Sequence, residues 1–250
     1  MRVSWSIRKA SSLIKNTKET KSKKRTINKK DIPSVVSIID EVGLQKMQPR
    51  PHYFRPSALF GCDRENVFHY THAPEDPRQI GPRLGRILEE GNAVHDIIQD
   101  KYLPLHPEFW FIKESKISVV VDGFLVRGSC DGVLIRRSDK FMFGIEIKSM
   151  AMAEFNTLSK AKDEHKFQAR LYMELQKLPM IVIVYWNKNN QNIKEYAVFR
   201  DKKCWEEAKE RVRYLGSFVK KKKLPMYDKA MCNKKFCRYV SECRRKGAPV

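Results

Sequence analysis

Residues 124–148 read FLVRGSCDGVLIRRSDKFMFGIEIK, two apolar segments in which polar residues recur. This pattern predicts two β-strands, Phe124–Arg136 and Phe141–Lys148. Side chains along a strand point alternately to opposite faces of the sheet, so Glu146 and Lys148 share one face while the flanking isoleucines share the other. The second strand is therefore expected to present a carboxylate and an ammonium group side by side.

A second carboxylate lies in the first strand, within Gly128-Ser129-Cys130-Asp131-Gly132. A hairpin around Ser138-Asp139-Lys140 would bring Asp131 towards Glu146. Two converging carboxylates repel each other unless a cation joins them, and Mg²⁺ or Mn²⁺ prefers oxygen ligands of this kind. A lysine beside such a metal can orient a water molecule for attack on a phosphodiester. The alternatives are a solvent-facing strand at Glu146-x-Lys148 and a simple turn at Asp131-Gly132.

Helices and further strands are predicted around these two strands. Asp122-Gly123 is a hairpin signal, and it follows a predicted strand at Lys116–Val121. The other predicted elements are a short helix from Val35 to near Gly43, an amphipathic helix over 83–103, a helix over 160–177, strands Ile181–Trp186 and Lys194–Phe199, and a closing helix Lys202–Lys222. The order of helices and strands predicts an α/β protein.

Two of the predicted helices carry further polar residues. His95 lies four residues after Gly91 in the helix over 83–103, and Gln168 and Tyr172 share a face of the helix over 160–177 at i, i+4. Each has an ordinary structural explanation: His95 as a hydrogen-bonded core histidine, and Tyr172 as a packing residue. These residues become informative when their order along the chain is considered.

Four pieces follow one another in that order: a helix with Gly-x-x-x-His, a strand with Gly-x-x-Asp, a strand with Glu-x-Lys and a helix with Gln-x-x-x-Tyr. In this respect the chain, from about Pro56 to Cys243, resembles the PD-(D/E)xK nuclease superfamily. The resemblance is to its RecB-like exonuclease branch, which includes CRISPR-associated RecB-like exonucleases and phage recombination nucleases. It implies a restriction-endonuclease-like core, with a mixed central β-sheet flanked by helices.

The resemblance also implies a role for each of these residues. The implied metal ligands are His95, Asp131, Glu146 and the backbone carbonyl of Ile147. Lys148 would position the attacking water, and Gln168 and Tyr172 would hold the substrate or the catalytic lysine. The implied activity is hydrolysis of DNA with Mg²⁺ or Mn²⁺, with an exonuclease favoured over an endonuclease.

Six cysteines in a chain that is expected in a reducing compartment are first interpreted as free thiols or metal ligands. Cys62 and the cluster Cys232-x4-Cys237-x5-Cys243 resemble the iron–sulfur site of CRISPR-associated exonucleases and AddB-type nucleases, which implies a [4Fe-4S] cluster on four thiolates. That family usually has Cys-x-x-Cys where four residues here separate Cys232 from Cys237. Zinc and free thiols therefore stay open as alternatives. The remaining two cysteines are predicted core residues: Cys130 and Cys204.

The formal net charge of +21 is concentrated at the two ends of the chain. Residues 1–30 carry +10 and residues 220–250 carry +9, so the part between them is nearly neutral. Clustered lysines and arginines bind phosphates with release of counterions, which makes nucleic acid the first candidate partner. The predicted nucleic-acid contacts are Lys220, Lys221, Lys222, Lys223, Arg244 and Arg245. A solvated tail or an organelle transit peptide would also account for the N-terminal charge.

The length of 250 residues fits one domain with an appendage. We expect a basic, partly flexible arm with a short helix over 1–50, and a nuclease domain over 51–250 that ends in the cysteine cluster 232–243. No run of about 18 apolar residues occurs, and charged and hydroxyl residues follow Met1, so we expect neither a membrane span nor a secretory signal. No membrane partner is expected, and the expected location is the cytoplasm of a bacterial or phage-infected cell, with an organelle as the alternative.

DNA, as single strands or duplex ends, is the expected partner, and the family suggests a helicase or recombinase as a protein partner. A second hypothesis keeps the fold without catalysis, as a DNA-binding or virion or replication assembly protein. Asp131, Glu146 and Lys148 argue against it, because a binding module has no need for two carboxylates that face an anionic polymer.

Overall fold

The computed structural model describes residues 34–42, 45–46, 52–76, 79–232 and 237–249. Most of the predicted basic arm, residues 1–33, lies outside the described residues. The chain divides into two units between residues 42 and 43. Helix α1 (Val35–Val42) belongs to the first unit and confirms the short helix predicted there. The hydroxyl of Ser34 accepts a hydrogen bond from the amide of Ser37 at 3.3 Å, which is typical of a helix start.

The second unit contains all the other described elements. Its strands are β1 (Gln45–Lys46), β2 (Gln79–Ile80), β3 (Phe109–Val121), β4 (Phe124–Arg136), β5 (Met142–Met150), β6 (Met180–Asn187) and β7 (Ile193–Phe199). Its α-helices are α2 (Pro56–Leu59), α3 (Asp63–Tyr70), α4 (Pro82–Asp96), α5 (Met152–Thr157), α6 (Asp163–Gln176), α7 (Lys202–Lys221) and α8 (Val240–Arg245).

The central sheet has five strands in the order β3-β4-β5-β6-β7. Strands β5 and β6 are parallel, and the other three neighbouring pairs are antiparallel. A parallel pair needs a long crossover, which α5 and α6 provide here. The predicted α/β fold, a mixed sheet flanked by helices, is therefore confirmed.

Apolar side chains cover both faces of this sheet. Ala169 and Met173 of α6 pack with Ile183 on one face. Val94 of α4 packs with Ile147 on the other face. Burial on both faces explains why β5 and β6 are almost continuously apolar.

Two elements differ most from their predicted lengths. Strand β3 begins at Phe109, seven residues before the predicted start at Lys116, because it pairs with β4 along the whole length of β4. The predicted helix over 83–103 is α-helical only to Asp96 and continues as a π-helix, Ile97–Tyr102. None of the described helices combines the length and the hydropathy that a bilayer crossing requires.

Candidate active site

The candidate site lies where β4 and β5 separate. Their ladder ends at the pair Gly132–Ile145, one residue before Asp131 and Glu146 would face each other. Beyond that point the amide of Ile147 donates a hydrogen bond to Oδ2 of Asp131 at 2.6 Å. A side-chain acceptor thus replaces the backbone acceptor of a regular ladder, and the two carboxylates come together where the strands part.

Glu146 lies at the centre of a hydrogen-bond network with Lys148 and helix α6. Its Oε1 accepts from Nζ of Lys148 at 2.8 Å and from Nε2 of Gln168 at 2.7 Å. The amide oxygen of Gln168 accepts from Nζ of Lys148 at 3.3 Å, and the phenol oxygen of Tyr172 lies 3.3 Å from Nε2 of Gln168. The structure therefore brings Glu146, Lys148, Gln168 and Tyr172 together on one face of the sheet.

The environment of Glu146 disfavours a bare carboxylate. The residue is 2% exposed, and Oε2 is buried with no hydrogen-bond partner among the described residues. Burial raises the pKa of Glu146 to about 7; Lys148 opposes this shift and the negative charge of Asp131 adds to it. An unpartnered buried carboxylate oxygen is costly, and a bound cation would remove that cost.

The remaining predicted ligands lie beside Asp131. Nδ1 of His95, on α4, is 3.4 Å from Oδ1 of Asp131, and Gln99 donates to the backbone carbonyl of Asp131 at 2.6 Å. The side chain of Ile147 is buried in the core. Its carbonyl stays a predicted ligand.

One imidazole and two carboxylates, with one buried oxygen unpartnered, form a donor set that suits a hard divalent cation. In the described part of the chain, no three or more His, Cys, Asp or Glu side chains are grouped so that they could hold a metal ion as they stand. Here Lys148 and His95 lie against carboxylate oxygens that a cation would otherwise take.

A cleft of about 360 Å³ opens over these residues, and most of its other lining was missed by the sequence predictions. The additional lining residues are Tyr53, Arg55, Pro56, Ser57, Arg127, Gly128 and Ser129. Arg127 and Ser129 could have been found, since they precede Asp131 by four and two residues on one strand. Arg55 had no local signal, because a long-range bridge between Phe54 and β4 brings it to the cleft.

The four predicted cofactor cysteines line a second, largely apolar cavity of about 20 Å³. They are Cys62, Cys232, Cys237 and Cys243. Cys62 directly precedes α3 and Cys243 lies in α8, so the cavity joins the two ends of the second unit. A guanidinium nitrogen of Arg64 lies 3.6 Å from Sγ of Cys243.

Burial disfavours the thiolate form of two of the cysteines in this cavity. Burial raises the pKa of Cys62 and raises that of Cys237 to about 12, so both are protonated at neutral pH. The two cysteines predicted as core residues, Cys130 and Cys204, are buried. Burial raises the pKa of each of those two thiols to about 11.

The predicted basic contacts do not gather at the cleft. Nζ of Lys220 lies 3.5 Å from the carbonyl of Asp122, in the turn between β3 and β4. Asp122 and Asp131 are nine residues apart along the hairpin, which corresponds to about 30 Å in an extended strand. Arg245 forms two hydrogen bonds with Glu242, at 2.6 and 2.7 Å. Nucleic-acid binding by Lys220–Lys223, Arg244 and Arg245 stays a prediction.

A mixed five-stranded sheet with carboxylates at a strand separation defines a restriction-endonuclease-like α/β fold. An alkaline exonuclease from Laribacter hongkongensis is similar with a TM-score of 0.51 and 13% identity, over 85% of this chain and 100% of that chain. The same enzyme in complex with dAMP gives 0.52 and 14%, over 80% and 96%. A protein designated SSO0001 gives 0.51 and 15%, over 84% and 96%.

The likeness shows that this chain shares the α/β fold of these proteins. No family model matches the chain, and no curated protein sequence matches it.

Proposed function

We propose that this protein is a metal-dependent nuclease that hydrolyses phosphodiester bonds of DNA with Mg²⁺ or Mn²⁺. The observation that carries the proposal is Glu146, a buried carboxylate with an unpartnered oxygen that meets Asp131 and Lys148 in an open cleft. A fold of this kind has no structural need for a buried, uncompensated oxygen at that position.

His95, Asp131 and Glu146 would hold the cation, with the carbonyl of Ile147 as a further ligand. A bound divalent cation supplies a more acidic water and stabilises the charge that develops on the phosphodiester. These ligands belong to a helix and two strands of the core, so their positions are fixed by packing rather than by loops.

Lys148 is the residue that positions the attacking water in this proposal. Its ammonium group is partly exposed to the cleft and is held by Gln168 as well as Glu146. If Glu146 bound a cation, Gln168 would still hold Lys148, and the ammonium group of Lys148 would be able to position a water molecule by a hydrogen bond. Tyr172 completes the chain by orienting Gln168.

The walls of the cleft suit a polyanion. Arg55 and Arg127 place two cations along it, and Tyr53 adds an aromatic ring near Arg127. Contacts of this kind bind phosphates and stack bases without reading sequence. The exonuclease activity named for the Laribacter protein, and its complex with dAMP, support an exonuclease that acts on DNA ends.

The cysteine cavity is proposed to hold a [4Fe-4S] cluster on Cys62, Cys232, Cys237 and Cys243. The four thiols line one apolar cavity, and they would have to move closer together to hold a metal. Thiolates are the usual ligands of such a cluster, and zinc is the alternative metal. The proposed domain organisation is a basic arm over 1–50 and a nuclease domain over 51–250. A cytoplasmic location and a helicase or recombinase partner remain further parts of the proposal.

Cleavage of end-labelled DNA tests the proposed function. Single-stranded and duplex DNA, linear and circular, are incubated with Mg²⁺ or Mn²⁺ and either the unmodified protein or Glu146→Ala. Lys203→Ala is the matched control, because Lys203 is an exposed residue of α7 outside the cleft. We expect metal-dependent cutting that Glu146→Ala abolishes and Lys203→Ala preserves.

Resistance of circular DNA would identify an exonuclease, and cutting of circular DNA would identify an endonuclease. If the unmodified protein binds DNA and metal but never cuts, the protein is instead a binding or assembly protein with a nuclease-like fold.

A further inference from the structure

An exposed apolar strip lies at the end of the sheet near the β4–β5 turn. Trp110, Ile112 and Met142 are 43%, 49% and 45% exposed. Trp110 and Met142 are both strand partners of Ile135, so they lie on the same face of the sheet, one on each side of β4. Ile112 follows Trp110 by two residues and shares this face. We call these three residues, with Arg137 and Lys140, the tip surface.

Two cations lie against the indole ring of this surface. Nζ of Lys140 is 4.2 Å from the ring centroid of Trp110, and the guanidinium carbon of Arg137 is 5.2 Å from it. Backbone carbonyls hold both side chains: Nζ of Lys140 donates to the carbonyl of Arg137 at 2.9 Å, and Nε of Arg137 donates to that of Phe109 at 3.4 Å.

The charge of the tip surface is not neutralised within the described part of the chain. The nearby carboxylate, Asp139, accepts from Arg136 at 3.0 Å and from the amide of Phe141 at 3.1 Å. Neither Arg137 nor Lys140 has a carboxylate within 4.0 Å among the described residues. The surface therefore offers an aromatic ring, two apolar side chains and two uncompensated cations.

We propose that the tip surface binds single-stranded nucleic acid without sequence preference. A base would stack on Trp110, and the adjoining phosphates would lie against Arg137 and Lys140. A nucleotide combines a flat apolar ring with an anion a few ångströms away, and the cations here lie directly beside the ring. The inference rests on the proposed function only in taking DNA as the polymer.

The tip surface is distinct from the catalytic cleft. Met142 precedes Glu146 by four residues on the same face of β5, which corresponds to about 13 Å along the strand. Leu178, which follows α6, packs near Gly144 between them. A strand bound at the tip surface would thus be a second point of attachment and would add to the affinity of a strand held in the cleft.

Binding of a fluorescent oligo(dT) to the full chain, followed by anisotropy in EDTA, measures the contribution of this surface without cleavage. We expect Trp110→Ala to raise the Kd at least about fivefold, since each stacked base contributes measurably to affinity, and Trp110→Phe to restore most of the binding. Lys140→Glu should weaken binding more than Lys203→Glu, a matched charge change on α7. Thermal unfolding of each variant shows that the fold is kept.

Photo-cross-linking locates the contact directly. An oligonucleotide that carries 5-iodouracil should cross-link to the peptide that contains Trp110. Unchanged oligo(dT) affinity in Trp110→Ala, with cross-links only at cleft residues such as Tyr53, overturns the proposal and leaves the proposed nuclease function intact. Trp110-dependent self-association in sedimentation, without an effect on DNA binding, would also overturn it.

Discussion

The cleft proposed as the active site and the cysteine cavity both bring together residues that lie far apart in the chain, but the two are built from different kinds of structural element. The residues proposed for catalysis lie on long, regular elements of the core, namely two strands and a helix: Asp131, Glu146, Lys148, Gln168 and Tyr172. The cavity uses Cys62 at the start of a short helix, together with the C-terminal segment. A site on regular elements is fixed by the fold, whereas a site between short segments depends more on what occupies it.

The two regions also differ in electrostatics. The cleft contains groups that carry charge, and one oxygen of Glu146 is buried there without a hydrogen-bond partner among the described residues. The cavity is apolar, and burial raises the pKa of the thiols of Cys62 and Cys237. Metal binding would thus relieve an existing unfavourable charge in the cleft, but would have to displace protons in the cavity.

The largest expected effect is on catalysis, from Lys148→Ala. We expect kcat to fall about a thousandfold or more, because the water loses its positioning group. The affinity for Mg²⁺ should change little, since the proposed ligands remain. Single-turnover cleavage and calorimetric Mg²⁺ titration measure the two quantities. Loss of Mg²⁺ binding together with activity would contradict this division of roles.

The second expected effect is on stability in the absence of metal, from Glu146→Gln. The pKa of Glu146 is about 7 in the folded protein and near 4.5 when unfolded, so between these values the folded state binds more protons. The free energy of unfolding therefore falls as pH rises through this window, by up to about 3 kcal/mol. Glu146→Gln lacks this loss, and its stability relative to the unmodified protein should grow from pH 4.5 to 7.

Denaturant unfolding in EDTA at several pH values tests this expectation. His165 must be taken into account, because burial, assisted by Lys148 and Lys162, lowers its pKa to about 3 and gives a stability that rises with pH up to about 6.5. Both proteins retain His165, so the difference between them isolates Glu146. A difference that is independent of pH would contradict the buried carboxylate. Saturating Mg²⁺ should reverse the sign by stabilising the unmodified protein.

The sequence was sufficient for the parts of the molecule that depend on regular periodicity. Alternation along β4 and β5 predicted that Glu146 and Lys148 share a face, and i, i+4 spacing predicted the same for Gln168 and Tyr172. These patterns are local, so one sequence contains them. The buried, unpartnered oxygen of Glu146 could not be predicted, because it depends on how α6 packs over the sheet.

Parts of the cleft and of the helices escaped prediction for the same reason. Arg55 lies at the cleft because Phe54 forms two backbone hydrogen bonds with β4, at 2.9 and 3.0 Å. No local sequence pattern predicts these long-range bonds. The π-helix after Asp96 continues the apolar spacing of α4, so periodicity alone could not mark its start.

The third expected effect concerns the cysteine cavity and is measured in protein purified without oxygen. Cys62→Ser should lower the iron content from about four per chain to below one. It should also lower the free energy of unfolding by about 2 kcal/mol, because a group bound only by the folded state is lost.

Cys204→Ser is the control for this experiment, since Cys204 is a buried thiol outside the cavity. It should keep the iron while it loses some stability through burial of a hydroxyl group. Equal iron content in Cys62→Ser and the unmodified protein would contradict the cluster. Zinc in place of iron would keep the cavity as a metal site but change the metal.

The smallest expected effect distinguishes the residues that bind the substrate along the cleft from the residues proposed for catalysis. Arg127 lines the cleft, and its Nε donates to the hydroxyl of Ser118 at 3.1 Å, which leaves the rest of the guanidinium group for a phosphate. Arg127→Ala should raise KM about five- to tenfold with little change in kcat, because one phosphate contact is lost and the catalytic residues remain. The slope of log Kd against log salt concentration for DNA binding should fall by about 0.7 to 0.9.

Arg213→Ala is the control, because it removes an exposed cation that is paired with Asp122. It should change neither KM nor the salt dependence of DNA binding. If Arg127→Ala instead lowered kcat and left KM unchanged, Arg127 would take part in catalysis. The proposed separation between residues that bind the substrate and residues that catalyse its cleavage would then be wrong.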